Sequence, residues 1–293
     1  MDCSKVPFKA VCQYFGVDEN TISFIGHAVA LYTDDSFLNK TANEVMDRVL
    51  LYNSSLHNLS GGSPYLYPRY GLSELPQGFA RQGAVYGATT MLRAPFKEIC
   101  YDGGVATGIK LTINEGEELE VKCKYLLGDP SYFPDKVTET GKVLRMVCIL
   151  DQPIPNTNNS HSAQIIIPQK ESGRSHDIYI ICMSSSHCIV PEGKFLAIIS
   201  MEMDEKESQV EPEKLFGGAM RLLGPIRDSV VMLGTLYSPK EDGRTDKCFI
   251  SNSYDGTSHF QSAARNILDL YERITGKELV LTSGDGEEEP AQE

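Results

Sequence analysis

The chain has no C-x-x-C pair among its cysteines and no other metal-ligand spacing, which excludes a structural zinc site of the usual kind. No run approaches the roughly 18 apolar residues of a membrane-spanning helix. No C-a-a-X box offers a prenylation site, and internal repeats are absent. The start, MDCSKVPFKAVCQYF, lacks the charged-then-apolar layout of a signal peptide. Basic residues are scarce: 27 Lys and Arg stand against 40 Asp and Glu, a net charge of -13. That balance argues against a nucleic-acid partner, whose affinity comes from neutralising phosphates, and against electrostatic attraction to an anionic membrane. The chain also lacks any G-x-G-x-x-G turn of the kind that brings backbone amides onto a pyrophosphate. No cofactor, metal or catalytic group is therefore expected.

What is present is an ordinary globular composition, 41% hydrophobic and 23% charged over 293 residues, enough for one large domain or two closely packed ones. Part of the acidity is terminal: Glu287, Glu288 and Glu289 lie in the stretch 283–293, read as a disordered, solvated tail. The eight cysteines are scattered, and Cys148 and Cys182 fall in apolar, strand-like runs where a buried thiol is the simple reading. The expectation is a reducing, cytoplasmic setting, with any lipid met through a pocket.

Residues 4–58 read as three helices. In the first, Phe8, Val11, Cys12 and Phe15 share a face, with Ser4 as a cap and Gly16 as the stop. Asp18 opens the second, on which Ile22, Ile25 and Val29 face one way. Thr41 and Glu44 form a capping box for the third. A loop rich in Gly, Pro and Tyr follows from Ser60, leading into a helix over 75–86. Then come strand-like runs at 98–101, 105–113, 118–127, 143–150, 164–167, 178–183, 195–201 and 230–236. Asp102, Gly103 and Gly104 signal a hairpin between the first two. The central runs suggest an antiparallel meander covered on one face by a helix over 213–223. Phe260, Ala263, Ala264, Ile267, Leu270, Tyr271 and Ile274 hold helical period to Gly276.

The segment 63–92, SPYLYPRYGLSELPQGFARQGAVYGATTML, resembles the core block of the Rab GDP dissociation inhibitor and Rab escort protein superfamily. FIGHAVALY (24–32), LLGDPSY (126–132), PNTNNSHSAQIIIPQ (155–169) and SYDGTSHF (253–260) extend the resemblance over nearly all of residues 5–280. It implies an α/β fold of α+β character: an incomplete large domain similar to flavin-dependent oxidases, holding an antiparallel meander, plus a small helical domain. The expected divisions are 1–58 for part of the helical, prenyl-binding domain, 59–282 for the large domain with its Rab-binding loop and helix, and 283–293 for the tail. The glycine-rich turn with which full-length relatives open is absent from this sequence.

The function implied is that of a monomeric, non-enzymatic carrier. It binds GDP-bound prenylated Rab GTPases, slows GDP release, and shelters the geranylgeranyl lipid, meeting membranes transiently through the Rab. The family's switch-contacting positions fall on Glu74, Arg81 and Met91, with Gln77, Thr90, Ser63 and Tyr65 beside them. Spacing alone puts 74, 77 and 81 on one helical face, a carboxylate and a guanidinium side by side; without the motif, an exposed pair with no partner is the ordinary reading. Thr90 stands where relatives often have Tyr, and Leu59 where a basic residue is common.

Hiding a lipid of about twenty carbons is worth up to ~16 kcal/mol at ~0.8 kcal/mol per CH₂, so a carrier needs an apolar cavity. Ile22, Ile25, Ala28, Val29 and Tyr32 are candidates for its wall, or else ordinary core of a helical bundle. A Rab escort protein, a shortened family member with little activity, and part of a flavin oxidoreductase are the alternatives. Nucleophilic catalysis by Cys188 beside His187 is disfavoured, because neighbours on a strand point to opposite faces. His27 is expected to be a hydrogen-bonded structural residue.

Overall fold

A computed structural model describes residues 2–58, 63, 65–113, 116–207 and 210–280. The expected tail, 283–293, and Leu59 lie outside these residues. The chain divides into two compact units, one formed by 1–90, 141–235 and 255–258, the other by 91–140, 236–254 and 259–293.

The first unit opens with α1 (Phe8–Tyr14), α2 (Glu19–Phe24), a π-helical turn (Ile25–Val29), a 3-10 turn (Asp35–Asn39) and α3 (Ala42–Asn58). Ser4 does not cap α1. Its hydroxyl and amide are engaged by Asp2 Oδ1 at 2.6 and 3.2 Å, and the helix starts after Pro7, whose fixed φ suits that position and whose missing N–H costs nothing there. Asp18 does cap α2, accepting from the amides of Asn20 and Thr21 at 3.0 Å. Asp18→Ala is accordingly expected to cost about 1 kcal/mol in the urea midpoint of the helical segment.

The capping box of α3 is half formed: Thr41 Oγ1 accepts from Glu44 N at 3.4 Å, while the Glu44 carboxylate turns to Lys40 at 2.8 Å and to the Tyr32 hydroxyl. Phe8, Cys12, Ala30, Tyr32, Phe37, Ala42 and Val45 make the core of this segment.

Five strands follow in the same unit: β5 (Val137–Leu150, in this unit from residue 141), β6 (Ser162–Ile167), β7 (Ile178–Ser184), β8 (Phe195–Met203) and β9 (Asp228–Pro239, in this unit to residue 235). Their order is β6-β7-β8-β5-β9. Consecutive strands β6 to β8 form the expected meander, but β5 pairs with β8 rather than β6. The connection 151–161, with Asn156, Asn158 and Asn159 in the left-handed region, is long enough to cross three strand spacings, roughly 14 Å.

Alternation does the rest. Ile165, Ile180, Ile199 and Met146 stand opposite one another across four strands, on the face covered by α6 (Pro212–Leu215) and α7 (Gly217–Leu223) through Phe216, Ala219 and Leu223. The covering helix expected over 213–223 is thus present in two pieces. A short α5 (Gln169–Ser172) links β6 to β7.

The second unit carries the hairpin of β1 (Phe96–Asp102) and β2 (Val105–Ile113), with β3 (Glu117–Lys122) alongside. Gly103 and Gly104, at φ 56° and 85°, make the tight turn that the sequence signals. The run 118–127 is broken: β3 stops at Lys122, and β4 (Leu126–Gly128) instead pairs in parallel with β10 (Cys248–Ile250). Cys248 and Ile250 are buried with Ala106, Phe133 and Val137. The closing helix α8 (Gln261–Thr275) ends at Gly276 as expected.

Candidate partner-binding site

The helix after the Tyr- and Pro-rich loop, α4 (Glu74–Val85), presents the sequence-derived residues. Its approach is anchored by backbone bonds: Tyr70 N donates to His187 O at 2.9 Å and Glu74 N to Gly71 O at 3.2 Å. Two aromatic contacts support the loop. Tyr65 meets Tyr52 of α3 edge-on at 6.4 Å, and Tyr67 meets His187 at 5.8 Å. Burial, with a smaller contribution from Tyr52, pushes the Tyr65 phenol up to about 12, so it stays a neutral donor. Ser63 is exposed and its hydroxyl accepts from Tyr65 N at 3.2 Å.

Along α4 every residue except Gly83 is exposed. Glu74, Gln77 and Arg81 recur at i, i+3 and i+7 on one face, and no ion pair within the described residues engages Glu74 or Arg81. Charge of both signs is therefore available to another molecule. Leu75 and Phe79 are exposed too, Phe79 at 77%, and Tyr86 follows at 82%. Periodicity contained this second, apolar stripe, but sequence alone gives such a stripe to the interior. Thr90 closes the first unit, exposed; Met91 opens the second and is likewise exposed.

Arg69 escaped the sequence reading. This exposed residue on the approach to α4 donates from Nη2 to Cys188 Sγ at 3.3 Å. The same contact bears on Cys188. Residues 185–187 form a 3-10 turn rather than a strand, and Cys188 follows at φ 59°. His187 faces Tyr67 and Ser186, and no contact joins its ring to the Cys188 thiol among the described residues. All eight cysteines are free thiols, and burial pushes Cys148 and Cys182 up to about 11.

The lipid-wall candidates cluster in the helical segment. Tyr32 belongs to its core, with Arg48 stacked 3.9 Å from the ring centroid; Ile22 and Ile25 pack against that core, and Ala28 and Val29 are half-buried. The π-helical turn over 25–29, where Ala30 N reaches back to Ile25 O, rotates these positions off the 3.6-residue face. His27, on that turn, is indeed hydrogen-bonded and buried. Among the described residues no group of acidic, Cys and His side chains could hold a metal, and no helix is long and apolar enough to cross a membrane.

Comparison with known proteins is consistent across sequence and structure. The family model described as GDP dissociation inhibitor matches residues 1–285. The chain is 48% identical to the probable secretory pathway GDP dissociation inhibitor 1 of Schizosaccharomyces pombe, over 93% of this chain and 60% of that protein. It is 43% identical to the Rab GDP dissociation inhibitor beta of Rattus norvegicus, over 95% of this chain and 60% of that one. A crystal structure of a Rab GDI from Plasmodium falciparum superposes with a TM-score of 0.88 at 35% identity, covering 96% of this chain and 62% of its own. The chain thus spans about three fifths of the length of the relatives it matches.

Proposed function

The chain belongs to the GDP dissociation inhibitor family, and from that premise we propose that it binds a GDP-bound, prenylated Rab GTPase, slows release of the nucleotide and keeps the GTPase in solution between membranes. The observation that carries this reading is the presentation of Glu74 and Arg81, both exposed and both without an ion pair among the described residues, on one face of a helix inside the segment that resembles the family's core block. Gln77, Thr90 and Met91 extend the contact, and Ser63 and Tyr65 add the loop beside it.

In this reading the protein performs no chemistry. It is a cytoplasmic monomer that reaches membranes through its partner. Residues 1–58 receive the geranylgeranyl chain, with Ile22, Ile25, Ala28, Val29 and Tyr32 on the wall of a space that opens when the lipid enters. Residues 59–282 are the part related to the flavin-oxidase-like domain. The division of labour follows from magnitudes: burying the lipid supplies most of the affinity, while the charged pair on α4 sets orientation and encounter rate.

Arg81→Glu is expected to weaken binding of GDP-loaded prenylated Rab by about tenfold or more, whereas Arg81→Lys loses less, with the unfolding midpoint unchanged in both because the residue is exposed on the helix surface. The measurement is extraction of the Rab from liposomes, run in parallel with unprenylated Rab in solution. Equal extraction by the reversed and the native chain removes Arg81 from the site. Equal affinity for prenylated and unprenylated Rab favours the escort-protein reading.

A further inference from the structure

His27 is a buried base with two acids. Its Nδ1 lies 2.7 Å from Asp177 Oδ2 and its Nε2 lies 3.2 Å from Asp35 Oδ1, with the ring 2% exposed and the Asp177 carboxylate wholly enclosed. A neutral imidazole has one N–H, so one of these two contacts would set a bare nitrogen lone pair against a carboxylate oxygen. With both acids ionised, only the imidazolium, a donor at both nitrogens, satisfies both.

The surroundings hold this arrangement in place. Asp177 Oδ1 accepts from Gln169 N at 2.9 Å, and the Tyr179 hydroxyl approaches Oδ2 at 3.5 Å. The edge of Phe37 meets the imidazole at 87° and 5.5 Å. The two acids come from different parts of the chain: Asp35 from the turn after the π helix, Asp177 from the entry to β7, 150 residues away from His27.

We propose that His27 is a protonated latch, clamped between Asp35 and Asp177, that fixes the helical segment 8–58 onto the five-stranded sheet and makes that attachment depend on a single buried proton. Because the same segment carries the lipid-wall candidates, any effect of the latch on lipid capture rests on the reading above; the latch itself does not. A second ion pair joining the two regions, Lys170 to Glu19 at 3.8 Å, is solvent-exposed on both sides and contributes little.

The charged groups around the ring all favour the proton. Burial alone pulls His27 downward, but the hydrogen bond and charge of Asp177, then those of Asp35, outweigh it, and the net shift is upward from 6.5. Asp34, on the turn with Asp35, is held below the usual carboxylate range: burial pushes it up, but the Ser36 bonds and then the charges of His27 and His176 prevail. Tyr179, behind Asp177, is driven far up by burial and remains neutral. A group whose folded affinity for the proton exceeds its unfolded one stabilises fully below the unfolded value and ceases to do so as pH rises through the folded value. Deprotonation would leave a neutral ring facing Asp34, Asp35 and Asp177.

The test is nitrogen NMR of the full chain labelled with ¹⁵N-histidine. One of the six histidines is expected to keep both ring nitrogens protonated at a pH where exposed histidines are neutral. As that ring titrates, amide protection factors over 8–58 should fall at least tenfold more than those of β7 and β8. A His27 that loses its second ring proton together with the exposed histidines or before them, or protection in 8–58 indifferent to its titration, overturns the latch. His27→Gln should flatten the fall of the urea midpoint as pH rises above 6.5, and a slope equal to the native one also overturns it. Extraction of GDP-loaded prenylated Rab from liposomes across the same range separates the two readings. Titration coupled to helix exchange, with no extraction at any pH, keeps the latch and removes the carrier function.

Discussion

Gly26→Ala is expected to destabilise the helical segment by about 3 kcal/mol, the upper part of the range for overpacking a finished core. A methyl at this position would overlap Cζ, Cε1 and Cε2 of the Phe37 ring, well inside 3.0 Å. A flexible neighbour could yield, but Phe37 is 1% exposed and is enclosed by Phe8 at 6.2 Å, Tyr32 at 5.6 Å and His27 at 5.5 Å. The ring cannot rotate out of the way without displacing the π-helical turn that presents His27. Urea unfolding of the single variant, of Phe37→Ala, and of the double variant forms a cycle with a definite sign. Removing the ring should relieve the clash, so the double variant loses markedly less than the sum of the two singles. Strict additivity would show that the backbone, and not the ring, sets the penalty.

Phe216→Ala should cost more, about 3–5 kcal/mol, the usual loss for deleting a fully buried aromatic. Phe216 stands at the joint between α6 and α7, completely buried, and fills the layer between these helices and the row Ile180, Ile199 and Met146 of the sheet. Phe79→Ala is the natural control. It deletes the same atoms from a ring that is largely in solvent, and a change within about 0.5 kcal/mol is expected. Equal losses at the two positions would mean that the ring on α4 is covered in solution. Phe37 and Phe216 lie in separate clusters, so their effects should add when combined.

What could be read from the sequence was what is encoded locally. The period of α8, the Asp-Gly-Gly turn, the Asp18 cap and the alternation within β5, β7 and β8 each depend on residues within a few positions of one another. So does the candidate binding face, since Glu74, Gln77 and Arg81 share a helix within one residue of that expected at either end.

Pairing across the chain was not legible. Nothing in CFI at 248–250 announces a parallel partner at Leu126–Gly128, because three residues are too few for a pattern and the pairing bridges more than a hundred positions. Nothing in 137–150 tells β5 to lie beside β8 rather than β6. The His27–Asp177 contact is of the same kind. Each residue alone looks ordinary, and only the fold reveals a charged group enclosed with its counter-charges. Ser4 failed for a different reason: Asp2 competes for it and Pro7 starts the helix better. The exposure of Phe79 and Tyr86 was not legible, because helical period marks an apolar stripe without telling what covers it.

The isolation of α4 has a thermodynamic corollary. Twelve residues are near the lower limit at which a lone helix persists in water, and in this one every residue but Gly83 is exposed. The bond from Tyr70 to the backbone of His187 ties its approach to the rest of the unit, while the bonds from Tyr86 and Ala88 to Gly83 close its own last turn. Such a span gains little from packing, so its winding rests chiefly on local propensity and on its caps. If the proposed partner docks on α4, a substitution there that merely raises helical propensity, touching no partner atom, should tighten the complex, as Rab extraction from liposomes would show.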